Sequence, residues 1–424
     1  KDLTNAHDED DIQIVTKIGR TFSQELRLAS LESENWEYIL GSYYAKTSSS
    51  TELDKDSYRF DHGFMTKVFA EDIPTDREEF GLFAHNTFHV SDETRLQLGA
   101  RWQKMRRFDR YDFVVTLPWL DDRVVSDLSA IPDELDSTTS EVITGGLKLM
   151  HDLNQDVMVY ASLDSSFRSG GTMIEPRLVG NPNDLIYGDE TSKSIELGLK
   201  STFWDGRAQL NGAVYYQLFD DYINQRNDVQ ADVDLNGIIT ADDERTSVVY
   251  NGDAIIAGAE IDFALMMAEG WTLGGGVSYN DATYDGAEIP CDGQAGDYNG
   301  VSALAYCDAD GQRIGGEPNW SVNLTSEGVF AVDAGEVYVR ALYKFTDSRG
   351  NDNLVDGSVP SYGVLNLYTG LRSEDDSWEV SVWAKNLLDT EAEVRRSPYE
   401  SGYRKVEVLA ERSLGLTAKY NFSL

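Results

Sequence analysis

The sequence predicts an all-β chain: a transmembrane antiparallel β-barrel with long loops on one rim and short turns on the other. Three observations carry this. Apolar and polar residues alternate with period two through most of the 424 residues, as in strands with a single apolar face. About fifteen such segments occur, each of roughly 10 to 18 residues, longer than the five or six usual in soluble sheets. Their connections alternate strictly between short polar turns and long acidic segments, an arrangement of membrane barrels that a sandwich has no reason to adopt.

Taken in order, the first strand is "TFSQELRLASLES", followed by the turn "ESEN" and the strand "WEYILGSYYAKT". A long segment at 45–77 leads to "EFGLFAHNTFHV", the turn "SDET" and "RLQLGARW". In the last, Leu96, Leu98, Ala100 and Trp102 oppose Arg95, Gln97, Gly99 and Arg101. After a long segment at 107–139 the turn "LNQD" introduces "VYASLDSSFRSGG". The next long segment, 168–192, precedes "SIELGLKSTFW", where Ile195, Leu197, Leu199 and Phe203 share a face against Glu196, Gly198 and Lys200. The turns "WDGR", "MAEG", "VDAG" and "SEDDS" then alternate with long segments at 221–246, 284–318, 346–360 and 390–409. The closing "SLGLTAKYNFSL" sets Leu414, Leu416, Ala418, Tyr420, Phe422 and Leu424 against polar or small neighbours.

Composition narrows the function. With 74 acidic against 36 basic residues the net charge is -38, which argues against nucleic acid or an anionic membrane surface as a partner. No apolar run approaches the roughly 18 residues of a membrane helix, which excludes helical spans and leaves barrels open. Mean hydropathy is -0.40, and acidic stretches such as "DDYINQRNDVQADVD" lie between the apolar ones. Cys291 and Cys307 lie close together in a Gly- and Asp-rich segment without metal or redox spacing. They read as a loop disulfide formed in an oxidising compartment.

One motif stands out. In "DVDLNGIITADD", Asp232, Asp234 and Asn236 fall at positions one, three and five of a calcium loop. Gly237 supplies the sharp turn, the Ile238 carbonyl the seventh-position ligand, Thr240 the water-mediated position and Asp243 position twelve. Asp at twelve resembles the dockerin variant of the loop. Strand-like flanks leave no helix pair to convert binding into signalling, so the expectation is a structural calcium ion. The alternative is an acidic turn with no ion.

Other motifs carry little. His85 and His89 sit four residues apart on a strand, about 13 Å, too far to share an ion. Glu25 with Arg27, and Glu196 with Lys200, read as side chains lining a lumen. No GxSxG elbow, phosphate loop or HExxH occurs, so an enzyme is not expected. Trp36, Tyr43, Tyr44, Trp204, Tyr215, Tyr216, Trp271, Trp320 and Trp378 cluster at strand ends as interfacial girdles do. The loop aromatics Trp119, Tyr187 and Tyr298 are candidates for ligand contact, and no specific ligand-binding residue is assigned.

The segments "FSQELRLAS", "WEYILGSYYAKT", "VYASLDSSFRSGG", "ETSKSIELGLKSTFWDGRAQLNGAVYYQLFDDY", "CDADGQRIGGEPNWSVNL" and "WEVSVWAKNLLDTEAEV" together resemble the β-barrel of TonB-dependent outer-membrane receptors. The resemblance implies a plugged barrel of about 22 strands in a Gram-negative outer membrane. It implies energised uptake of a scarce nutrient, ferric siderophores being the largest class, with outer-membrane lipid, the nutrient ligand and the TonB system as partners. Such barrels commonly end in an aromatic residue, whereas this chain ends in Leu424. If the last strand runs toward the periplasm, the strand count is odd, against the even number of single-chain bacterial barrels. Residues 1–424 are therefore expected to be the C-terminal portion of the barrel, with the plug and about seven strands lying N-terminal to it. The opening "KDLTNAHDEDD" shows no signal peptide. Two other classes are a passive or structural surface barrel and a soluble calcium-dependent β protein.

Overall fold

The computed structural model describes residues 9–59, 64–109, 114–117, 123–127, 137–173, 178, 182–232, 239, 245–291, 302–350, 358–396 and 406–422. Its frame is one sheet of fifteen long strands, each antiparallel to the next in chain order. The first eight are Glu9–Ala29, Trp36–Arg59, Phe64–His89, Thr94–Asp109, Ser137–Asn154, Val157–Arg168, Glu190–Phe203 and Ala208–Gln230. The remainder are Arg245–Ala268, Trp271–Tyr284, Trp320–Val332, Gly335–Thr346, Tyr362–Arg372, Trp378–Lys385 and Ser413–Tyr420. Among the described residues the first strand pairs only with the second, and the last only with Trp378–Lys385.

The register fixes the two faces. Arg27, Gly41, Phe83, Arg101 and Thr144 form one cross-strand row, and Leu197 is flanked by Ala161 and Val214 in a row of opposite parity. The second set, which includes Leu26, Leu82, Leu149, Leu163, Ile195, Val214 and Leu416, is apolar and exposed. A soluble protein would bury these side chains; here the wall turns them outward, as a lipid-facing surface requires.

The opposite face is polar and locked by neighbouring side chains. Tyr160 lies over Gly198 so closely that a Cβ there would come within 2.2 Å of the ring. Tyr215 over Gly258, Tyr338 over Gly370 and Trp383 over Gly415 repeat the arrangement. An aromatic ring thus covers backbone that a glycine leaves open.

All seven short turns occur where the sequence places them, and several are held by local bonds. In "WDGR", Trp204, Asp205 and Gly206 have φ of 53°, 55° and 80°, a left-handed run that only Gly206 adopts without cost. In "SEDDS", Asp375 accepts the Ser377 N–H at 3.1 Å and its hydroxyl at 2.6 Å. These bonds, with that of Ser373, hold the Asp375 carboxyl down at about 2. Because the folded value is depressed, the stabilisation is complete above the ordinary carboxylate range and is lost as pH falls through about 2. A pH titration of the Ser377 amide resonance should show this midpoint; a midpoint near the ordinary value of ~4 would contradict it.

The long segments differ in extent from the sequence reading. Residues 45–77 are largely strand, because Trp36–Arg59 and Phe64–His89 stay paired from Trp36↔Phe88 to Arg59↔Phe64. Backbone pairing beyond the bilayer needs no apolar face, so alternation fades there while the hairpin continues. Likewise the first strand begins at Glu9, well before "TFSQELRLASLES". Within 107–139, Val114–Leu117 pairs with Lys67–Phe69 and with Arg123–Asp127. Within 390–409, Glu393–Arg396 pairs with Val406–Val408.

Candidate functional site

Most of the buried apolar residues among those described form one cluster, built from long segments and the strand ends beside them. Met173, Leu178 and Leu185 come from 168–192, Val229 and Ala231 from 221–246, Val248 and Tyr250 from the start of the strand that follows it, and Ile289, Ala303, Leu304 and Ile314 from 284–318. Leu178 and Leu185 are at most 1% exposed. Each such leucine contributes about 1.5–3 kcal/mol of burial. Three loops are therefore one packed unit at the long-loop rim.

Ala303 joins them. Its N–H donates to Asp184 Oδ2 at 2.7 Å, and its carbonyl accepts the Asp232 N–H at 2.8 Å. Ala231 and Leu304 form a bridge beside it. Nearer the wall, the Tyr250 and Tyr284 hydroxyls lie 2.7 Å apart, and Asn224 donates to Tyr284 at 2.9 Å. The Gly188 N–H donates to Asn251 Oδ1 at 2.6 Å. Burial raises the pKa of Asp184, partly offset by the Ala303 N–H and the Ser302 hydroxyl. Burial and the Asp184 charge raise that of Tyr306.

Cys291 and Cys307 are bonded, 16 residues apart with Cα atoms 5.7 Å apart. They tie the hairpin of Glu288–Cys291 and Ala305–Asp308, whose register sets Ile289 opposite Cys307 and Cys291 opposite Ala305. In the chain-entropy account a loop of this size gains about 3 kcal/mol. The bond thereby steadies the segment from which Ala303 reaches the other two loops.

Of the calcium positions, Asp232 is fully buried in this unit. Asp234, Asn236, Gly237, Ile238, Thr240 and Asp243 lie outside the described residues, as do Trp119 and Tyr298. Tyr187 packs against the three-loop core. Sequence reasoning missed Asp184 and Ser302–Leu304. Their one local signal is the short apolar run "VSALAY" within an otherwise Gly- and Asp-rich loop.

Below the rim the polar face is lined by paired charges. Glu25 pairs with Arg27, Arg101 with Glu79 at 2.7 Å, and Arg340 with Glu327 at 2.7 Å. Glu196 accepts the Tyr160 hydroxyl at 2.6 Å, with Lys148 4.0 Å from the centre of that ring. Lys200 and Glu196 thus share the face without pairing to each other. His89 lies 3.4 Å from Glu37, and among the described residues no group of three or more His, Cys, Asp or Glu side chains is arranged to hold a metal.

The family model described as TonB dependent receptor-like, beta-barrel, matches residues 4–387. The ferric-pyoverdine 358 receptor of Pseudomonas putida is 26% identical over 199 residues, which cover 47% of this chain and 21% of that protein. The ferric yersiniabactin uptake receptor of Yersinia pestis is similar in structure, with TM-score 0.69, 16% identity, and coverage of 97% of this chain and 56% of that one. A siderophore receptor of Acinetobacter baumannii gives TM-score 0.66, 14% identity, and coverage of 95% and 56%. The chain spans about half the length of these solved receptors and about a fifth of the curated relative. With one apolar face turned outward, a polar face turned inward and packed loops on one rim, the chain belongs to the TonB-dependent receptor-like β-barrel family of the Gram-negative outer membrane.

Proposed function

We propose that this chain is the ligand-gathering part of a TonB-dependent receptor that imports a scarce nutrient, an iron–siderophore chelate being the class best supported. The observation that carries the reading is the three-loop unit held by Ala303 and the Cys291–Cys307 bond. A passive pore needs only a polar interior, whereas a receptor needs an outer surface ordered before the ligand arrives. The names of the relatives support the ligand class: one takes ferric pyoverdine and another ferric yersiniabactin. The reading is of a transporter and not an enzyme.

The remaining strands and a plug would lie N-terminal to these residues, where the segment that engages TonB also belongs. The open edges at Glu9–Ala29 and Ser413–Tyr420 support this, since additional strands would close them. The function is tested by deleting the gene and supplying ferric siderophores as the sole iron source. Growth and radio-iron accumulation should fall, and should fall equally when TonB is removed. Flux that persists without TonB would support the passive barrel instead.

We also propose that the loop 232–243 holds a structural calcium ion through Asp232, Asp234, Asn236, the Ile238 carbonyl, Thr240 and Asp243. The sequence spacing supports it, with Asp232, Asp234 and Asp243 within twelve residues, and Asp232 is buried in the loop core; neighbouring carboxylates repel unless a cation neutralises them. With calcium at about 100 times its dissociation constant, the loop unit gains about 2.7 kcal/mol. Chelation should therefore speed protease cleavage in 221–246, and Asp234→Ala should remove the calcium dependence. Cleavage rates equal with and without calcium would show that the loop is an ion-free acidic turn.

A further inference from the structure

We propose that the hairpin of Glu393–Arg396 and Val406–Val408 is a strap latched by Arg349, able to open at the rim while the three-loop unit stays packed. The proposal rests on the fold and the loop contacts and is independent of which nutrient is carried.

The hairpin has little of its own to hold it. It forms a two-stranded sheet separate from the wall, and its register shifts between Glu393 and Arg395. A lone two-stranded hairpin is marginally stable at best in water. Among the described residues none of the hairpin belongs to the apolar cluster that the other three segments share, and Val408 is 63% exposed. Polar contacts therefore set its position.

Its base is fixed to the wall. Asn386 is 5% exposed, with φ of 49°. Its Nδ2 donates to the Thr390 and Ala410 carbonyls, each at 3.0 Å, and its Oδ1 accepts the Thr390 N–H at 2.9 Å. The Leu387 N–H donates to the Leu365 carbonyl at 2.7 Å, and the Thr390 hydroxyl to that of Gly363 at 2.8 Å. Both acceptors lie in the wall strand Tyr362–Arg372. The Leu409 N–H closes the base on the Ala392 carbonyl at 2.9 Å.

Above this base, a contact from another segment reaches the hairpin at Val394. The Arg349 guanidinium donates to its carbonyl. The Arg349 backbone is itself held, exchanging two bonds with Val359 at 3.0 and 2.8 Å, and Val359 is 3% exposed. The adjoining Gly350 carbonyl accepts the Gly316 N–H at 2.9 Å, and Gly316 lies in the 284–318 segment of the three-loop unit. Arg349 thus stands on a post joined to the packed core and grips the strap with one side chain. A charged donor makes this bond strong for a single contact, yet breaking it disturbs no apolar packing. In a receptor such a latch lets the rim open beside the last strand without unpacking Leu178, Leu185 and Ala303.

Hydrogen exchange on the full-length protein in detergent, with no ligand present, tests the latch. Losing a hydrogen bond from a charged donor shifts a local equilibrium by at least about tenfold. In Arg349→Ala the amides of Glu393–Arg396 and Val406–Val408 should therefore exchange at least about tenfold faster. Those of Ala303, Asp232 and Thr390 should exchange as before. Arg349→Met, which keeps the stem and removes the donor, carries the same expectation, so a folding defect in one variant does not spare the proposal. Unchanged exchange in the hairpin would overturn the latch. Equal acceleration at Ala303 would show that strap and core open together, and would overturn their independence. Failure of the receptor reading would look different: iron uptake would survive loss of the gene while the exchange result stood.

Discussion

Leu185→Ala should loosen the long-loop unit while leaving the barrel wall intact. Leu185 is 0% exposed and packs in a cluster shared by three loops. Its carbonyl accepts the Met173 N–H at 2.8 Å, and its neighbour Asp184 accepts that of Ala303. Deleting such a side chain costs about 2–5 kcal/mol, depending on how far the site collapses. The wall joins this cluster through the loop-side ends of its strands, at Val229, Val248, Tyr250, Ala254 and Tyr284, so the loss falls on local opening there. Hydrogen exchange at the Ala303 and Asp232 amides should accelerate by at least about thirtyfold, the lower bound of that range. Amides of Glu190–Phe203 should exchange as before, and ligand affinity should fall with the loop order. Unchanged exchange at Ala303 would show that the loops are held separately, and the receptor reading would lose its main support.

Leu197→Arg should destabilise the barrel in lipid by about 2–4 kcal/mol, the cost of a cation on the lipid face near the bilayer midplane. Leu197 is 52% exposed and flanked in register by Ala161 and Val214. In a water-soluble sheet a half-exposed Leu→Arg change of this kind would shift stability by no more than about 0.5 kcal/mol. The size of the effect therefore separates the two environments. Glu196→Arg, one residue away and on the polar face, should cost much less in lipid. It would lose the 2.6 Å contact with the Tyr160 hydroxyl but would meet no hydrocarbon. Urea unfolding in lipid vesicles measures both.

The wall was legible in the sequence because both of its signals are local. Period-two alternation assigned Leu197 and Glu196 to opposite faces, and the sorting of connections by length separated the two rims. Strand ends were less legible where the bilayer stops imposing alternation, as in Trp36–Arg59, whose pairing continues through "SSSTELDKDSYR". The couples of Tyr160 with Gly198 and Trp383 with Gly415 depend on register, which sequence does not display.

The loop unit was least legible. The Asp184–Ala303 bond spans 119 residues, and nothing within "NPNDLIYGD" signals a partner so far along the chain. The cysteine pair could be read from its proximity in a short acidic loop, whereas the role of Ala303 could not. The calcium motif was readable by spacing, and of its residues only Asp232 falls among those the structure describes.

The central claim is that the apolar face of this sheet meets lipid and the polar face an aqueous or protein-filled interior. Single spin labels at each position from Ile195 to Lys200, in the full-length protein reconstituted in vesicles, test it most directly. Collisions with oxygen, which partitions into lipid, should peak at positions 195, 197 and 199. Collisions with a polar nickel chelate should fall to their minimum at those positions and rise at 196, 198 and 200 wherever the interior admits it. Oxygen accessibility that shows no two-residue period, or that peaks on the Glu196 face, would contradict the account.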